Sequence, residues 1–150
     1  AEYYQYPEVI REKLCLAGAL HDLGKLVIPL EVLNKPGTLS EQEVKEMRDH
    51  VLYTYYILNR IPGLQEITMW ASAHHEKLNG KGYPFHLSGE RLSYPARMVA
   101  CVDIYQALRE PRAYKAAKSH ESAVQIMKEM AQAGEIDSMI VDDLEKLFRR

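Results

Sequence analysis

The chain has 150 residues, 47% apolar and 27% charged, which excludes disordered, fibrous and membrane-embedded compositions and lets a single core bury roughly 68–70% of the unfolded surface. Lys and Arg number 19 against 21 Asp and Glu, so a net charge of −2 offers no polybasic face for DNA or an anionic membrane, and any phosphate must be held locally. Cys15 and Cys101 stand far apart without metal-ligand spacing, no apolar run approaches the roughly 18 residues of a membrane span, and the first residues carry no signal-peptide pattern, so a reducing, cytoplasmic setting is expected.

Apolar spacing reads as helix almost throughout. Ile10, Leu14 and Ala17 follow a helical face whose next step is His21, which places that histidine inward at a helix end. Residues 27–39 carry two prolines and a glycine and read as a loop with one short turn. Ser40 and Glu43 form a capping-box pattern, and Val44, Met47, Val51, Tyr55 and Leu58 predict one helix running to about Arg60, with His50 beside its apolar face. After Pro62-Gly63, the stripe Leu64, Ile67, Ala71 again ends in histidine, at His74. Residues 78–93 are glycine-rich and read as a loop. Pro95 suits the first turn of a helix that puts Asp103 on the same side as Ala96 and Val99. Ser119 and Asp137 cap two closing helices, with Val124, Met127 and Ala131 on one and Ile140, Leu144 and Leu147 on the other, parted near Gly134. Neither repeats nor linkers divide the chain, no segment alternates like a strand, and the expected fold is all-α, one domain of six or seven helices over 1–150 with 119–150 as its closing pair.

The polar residues on these inward faces carry the chemistry. An unpartnered buried histidine or aspartate costs several kcal/mol, roughly 2–7 even for a neutral polar group, so a set of them calls for pairing or a metal. His21, Asp22, His50, His74, His75 and Asp103 are spaced by about one helix and one connection each time, so that successive layers deliver donors to one centre. Read alone, His50 is a hydrogen-bonded core residue; read with its aligned partners it is a ligand. Imidazole and carboxylate without thiolate suit iron, manganese or zinc, and six donors exceed one tetrahedral site. An adjacent His-Asp pair also lets its carboxylate span two ions, and two-metal sites are suited to hydrolysing phosphodiesters. His86 and His120 fall outside the pattern, with an exposed loop or helix-start role expected for both. Asn79 at the position four beyond His75 excludes the zinc-protease helix motif, and the glycines at 80 and 82 follow no strand.

HDLGK at 21–25, His50, HHEKLNGKGYP at 74–84 and Asp103 together resemble the HD-GYP subgroup of the HD-domain metal-dependent phosphohydrolases, a similarity that continues through residues 28–43, 89–108 and Arg112 to Lys115. The resemblance implies an α-helical phosphodiesterase that hydrolyses cyclic di-GMP to pGpG or GMP in bacterial signalling. Its cofactors would be two divalent ions, or three in the trinuclear subset, iron first and manganese as the alternative. By the same resemblance His21, Asp22 and Asp103 serve one ion, His50, His74 and His75 the other, and Asp22 bridges. Lys25 faces the scissile phosphate, Tyr83 contacts the substrate at the pocket lip, and Arg112 and Lys115 bind phosphate. Glu76 is expected to support ligands rather than to be one. A receiver or sensor domain upstream, a GGDEF signalling partner and a homodimer are the partners the resemblance implies.

Two departures set the alternatives. Family members take a further histidine from a helix upstream of the HD pair, and none of the twenty preceding residues is histidine, so the chain reads as lacking that first helix. Gln106 stands where the family has an acidic residue one turn after Asp103. The competing readings are hydrolysis of another cyclic dinucleotide, cyclic GMP-AMP, and a metal- or nucleotide-binding sensor without turnover.

Overall fold

A computed structural model describes residues 2–111 and 116–148 of the chain. Its α-helices are α1 (Glu8–Leu20), a single turn α2 (Leu30–Leu33), α3 (Glu41–Arg48), α4 (His50–Leu58), α5 (Gln65–Ser72), α6 (Tyr94–Arg109), α7 (His120–Gln132) and α8 (Ser138–Leu147). Short 3₁₀ turns cover Leu23–Val27 and Gly89–Arg91, and among the described residues the one β-type pairing is an isolated bridge between Asn79 and Ser88. The all-α expectation holds, with seven helices of two turns or more among the described residues.

Local chemistry explains the helix starts. Ser40 accepts the Glu43 N–H while the Glu43 carboxylate accepts the Ser40 N–H, the reciprocal capping box read from sequence. The side chains of Ser93, Ser119 and Asp137 accept backbone N–H groups in the first turns of α6, α7 and α8, without the reciprocal bond, and Pro95 occupies the first turn of α6. Helix α5 packs between α1 and α4, while α6 leans on α1, α5 and α7 and carries the core over to the α7–α8 pair. Ala17, Leu58, Trp70, Ala71, Val99 and Met127 are among the apolar side chains that meet there.

Three expectations are corrected. The helix expected from Ser40 to about Arg60 is two helices: at Asp49 (φ −64°, ψ −15°) the backbone tightens, its N–H reaching both the Lys45 and Glu46 carbonyls, and α3 ends with no buried residue while α4 begins with buried His50 and Val51. Leu147 is 43% exposed, because the apolar period of α8 runs past the last neighbour able to cover it. His120 does sit at a helix start, yet it is buried: the Tyr105 hydroxyl meets its Nδ1 at 2.8 Å and the Glu145 carbonyl its Nε2 at 3.2 Å.

The turn after α1 is pressed against α4, so close that a Cβ at Gly24 would stand 1.9 Å from the His50 carbonyl oxygen. Fully buried Thr54 ties the same two elements, its hydroxyl accepting the Gly24 N–H at 2.9 Å and donating to the His21 carbonyl at 3.0 Å. The HD pair is thereby fixed against the first turn of α4.

Candidate metal centre

The donor residues sit where helices end or begin. His21 caps the C-terminus of α1 and Asp22 follows it, His50 opens α4, His74 and His75 follow the end of α5, and Asp103 lies within α6. Three of the histidines share one local device. The Nδ1 of His21 meets the Gly18 carbonyl at 2.7 Å, that of His50 the Met47 carbonyl at 2.6 Å, and that of His74 the Ala71 carbonyl at 2.6 Å, each three residues earlier. A carbonyl accepts and never donates, so each Nδ1 bears the proton and each Nε2 is left for the centre.

The Nε2 atoms and the carboxylates converge. The Nε2 atoms of His50 and His74 are 3.4 Å apart. Asp22 divides its oxygens: Oδ1 lies 3.2 Å from His50 Nε2 and 3.9 Å from His74 Nε2, while Oδ2 lies 3.3 Å from His21 Nε2. Asp103 Oδ1 stands 3.4 Å from His21 Nε2. Two sets, His50–His74–His75 and His21–Asp22–His74, each bring one donor atom per residue within 4.8 Å of the others. The six expected donors thus gather in one place, and Asp22 touches both sets.

Electrostatics sharpens the same division. Hydrogen bonds donated to the Asp103 and then the Asp22 carboxylate raise His21 to about 10. Burial works to raise the Asp22 carboxyl, but hydrogen bonds with His21, His50 and Lys25 outweigh it and hold the group far below the usual carboxylate range. Asp103 is likewise depressed, burial being overcome by His21. Burial, then the neighbouring His75, pushes His74 down, and burial, then His50, pushes His75 to about 4, so both imidazoles are neutral at pH 7. Neutral His74 and His75 beside ionised carboxylates, with the His21 proton held on Nε2 against those carboxylates where a cation would displace it, and no thiolate, form a set that fits divalent cations of borderline hardness. Cys101 is buried and Cys15 exposed, and neither belongs to these sets.

The surroundings are shaped by the loop after α5. Glu76 is 4% exposed, and its carboxylate accepts the Phe85 N–H at 2.6 Å and the Leu87 N–H at 3.0 Å. Gly82 crosses this loop so closely that a Cβ would meet the Glu76 and Lys77 backbone at 2.3–2.5 Å. That closure lays the Tyr83 ring on the His75 imidazole, centroids 4.9 Å apart and planes at 25°, and the burial lifts the Tyr83 phenol to about 12. Lys25 Nζ reaches Asp22 Oδ2 at 2.5 Å, at the rim of the donor set. On the α1–α6 side a cleft of about 340 Å³ opens beside His21 and Asp103.

Other expected positions fall elsewhere. Gln106 lines that cleft, but its side-chain amide is donated to Glu110 at 2.7 Å rather than to a donor residue. His86 is exposed in the loop, as expected. Arg112 and Lys115 lie outside the described residues. Sequence reading missed Thr54, whose hydroxyl bridges Gly24 and His21, and Arg48, whose guanidinium carbon lies 5.1 Å from the Tyr83 ring centroid. A polar residue within Tyr53–Tyr56 and a basic residue in a last helical turn carry no local signal for either role.

A family model described as HD domain matches residues 1–140. The 3'3'-cGAMP-specific phosphodiesterase 1 of Vibrio cholerae is 37% identical over 133 residues, 89% of this chain and 31% of that protein. The cyclic di-GMP phosphodiesterase response regulator RpfG of Xanthomonas campestris is 40% identical over 134 residues, 86% of this chain and 34% of that protein. A cyclic di-GMP phosphodiesterase of Thermotoga maritima is 36% identical over 125 residues, 82% of this chain and 34% of that protein. The chain therefore spans about a third of the length of these curated relatives.

Proposed function

The chain belongs to the HD domain family, and from that premise we propose that it is a metal-dependent phosphodiesterase module that opens cyclic di-GMP to linear pGpG and onward to GMP. The observation that carries this reading is the arrangement of the three carbonyl-locked histidines, their Nε2 atoms turned to a carboxylate whose two oxygens face different donor sets. His21, Asp22 and Asp103 would hold one ion and His50, His74 and His75 the other, with Asp22 shared; iron is the first choice and manganese the second. Divalent ions there supply the Lewis acidity that phosphodiester hydrolysis needs.

The protein's own residues do the rest. Asp22 stays ionised across the physiological range, as a residue shared by two cations must. Lys25 is half-exposed at the rim, where its ammonium faces incoming substrate and offsets charge that builds on the phosphoryl oxygens. Tyr83 covers His75 and offers its ring edge to the substrate. Arg112 and Lys115 contribute further phosphate contacts on the strength of sequence alone. In each cut a P–O bond to water replaces a P–O bond to the ribose oxygen, which leaves with a proton.

A second reading has a specific observation behind it: relatives of similar identity are named for 3'3'-cGAMP as well as for cyclic di-GMP, and the donor set does not touch a base. Among the described residues no helix is long and apolar enough to cross a membrane. Action in the cytoplasm on a soluble dinucleotide, with a receiver or sensor domain and a GGDEF protein as partners, completes the proposed signalling role. The test is chromatography of products formed by protein purified without oxygen and loaded with iron or manganese. Linear dinucleotide from cyclic di-GMP is the expected result, preferential cleavage of 3'3'-cGAMP would establish the second reading, and binding of either without any product would leave a sensor.

A further inference from the structure

Arg48 and His50 stand two residues apart on opposite sides of the break at Asp49, and they address the same histidine cluster from different directions. His50 turns inward, its ring centroid 5.4 Å from that of His75. Arg48 turns outward, yet its guanidinium lies over the Tyr83 ring at 5.1 Å, and Tyr83 in turn is stacked on His75 at 4.9 Å. Cation, phenol and imidazole thus form three successive layers ending at a candidate ligand. An arginine in the last turn of α3 has a simpler use, answering the helix dipole, but that use is indifferent to what the guanidinium covers. A flat guanidinium over a tyrosine face is an attraction with a definite partner.

Tyr83 needs such a partner. Its loop is anchored on one side by the two N–H groups that Glu76 accepts, and its own N–H is donated to the His75 carbonyl at 3.2 Å. These bonds fix the backbone of the loop and do not involve the ring. We infer that Arg48 is a positioning residue of the metal centre, one that acts through Tyr83 by clamping the phenol ring on His75 and so restricting the imidazole of that candidate ligand. The inference rests on the proposed role of His75 as a ligand.

The test uses Co²⁺ titrations followed by the d–d absorption of the bound ion, together with the NMR signals of the His75 ring in metal-free protein. Arg48→Met keeps side-chain length and removes the charge; it should weaken Co²⁺ binding by about two- to fivefold, in line with an exposed cation–π contact, and broaden or shift the His75 signals. Arg48→Lys retains the cation and should restore most of the affinity, which a dipole role at the end of α3 would also allow; the double variant separates the two. On a Tyr83→Leu background, Arg48→Met should cost nothing further. Wild-type affinity and His75 signals in Arg48→Met, or a loss that simply adds to that of Tyr83→Leu, would overturn the inference. A wild-type protein that binds Co²⁺ through its histidines but cleaves no cyclic dinucleotide refutes the proposed function and leaves the clamp to the titration; one whose Co²⁺ spectrum shows no histidine ligation refutes both.

Discussion

His74 and His120 are both buried, at 1% and 8% exposure, yet they belong to regions built on opposite rules. On the α7 side, each ring nitrogen of His120 has a protein partner, the Tyr105 hydroxyl and the Glu145 carbonyl, and around it capped amphipathic helices close on apolar contacts. On the α5 side, the Nδ1 of His74 is satisfied by Ala71, but its Nε2 faces another imidazole nitrogen and a more distant carboxylate oxygen. Burial in the first region completes a hydrogen-bonding set; in the second it gathers acceptors that only a cation can satisfy together. A buried histidine is therefore informative through its second nitrogen, and its depth alone says little.

The contrast can be broken at several points. Asp22→Ala should have the largest effect, lowering metal content at both sets and activity by at least about a hundredfold; metal analysis that shows two full equivalents would refute the shared carboxylate. Gly24→Ala should come next, because a methyl group cannot fit 1.9 Å from the His50 carbonyl: a loss of more than about 2 kcal/mol by urea denaturation is expected, accompanied by poorer metal retention. Glu76→Gln replaces a carboxylate that accepts two N–H groups with an amide that has one acceptor oxygen, so a loss of about 1–3 kcal/mol and a Tm lower by several degrees should appear, and an unchanged melting curve would remove Glu76 as the anchor of its loop. Lys25→Ala should slow turnover while metal content stays at the wild-type level, a result that steady-state kinetics and metal analysis on one preparation can decide. The smallest effect is expected of His120→Phe, about 1–2 kcal/mol in stability with metal content untouched; metal loss there would erase the division between the two regions.

Much of this arrangement was legible in the sequence because it rests on local chemistry. Capping residues Ser40, Ser119 and Asp137 act within three residues of themselves, and apolar stripes that end in His21 and His74 place those side chains inward whatever the tertiary fold. The helix break was hidden because Asp49 keeps right-handed dihedrals, so the apolar period carries across it almost in phase. His120 looked exposed because its partners come from Tyr105, fifteen residues back, and Glu145, twenty-five ahead. Leu147 shows the converse error, in which a correct period outlasts the surface available to bury it. The family resemblance supplied which residues cluster; which oxygen of Asp22 faces which histidine, and that Arg48 lies on Tyr83, are facts of tertiary distance that no spacing encodes.

The carbonyl locks on His21, His50 and His74 separate two quantities that a binding site must control. Bearing is set inside each segment, by a bond spanning three residues, while the span between donors is set by how α1, α4 and α5 rest on one another. Breathing of the helix packing therefore stretches or compresses the cluster without turning its donors aside. Cations of somewhat different radius would meet the same aim at slightly different range, so that choice among them falls to supply and charge more than to shape.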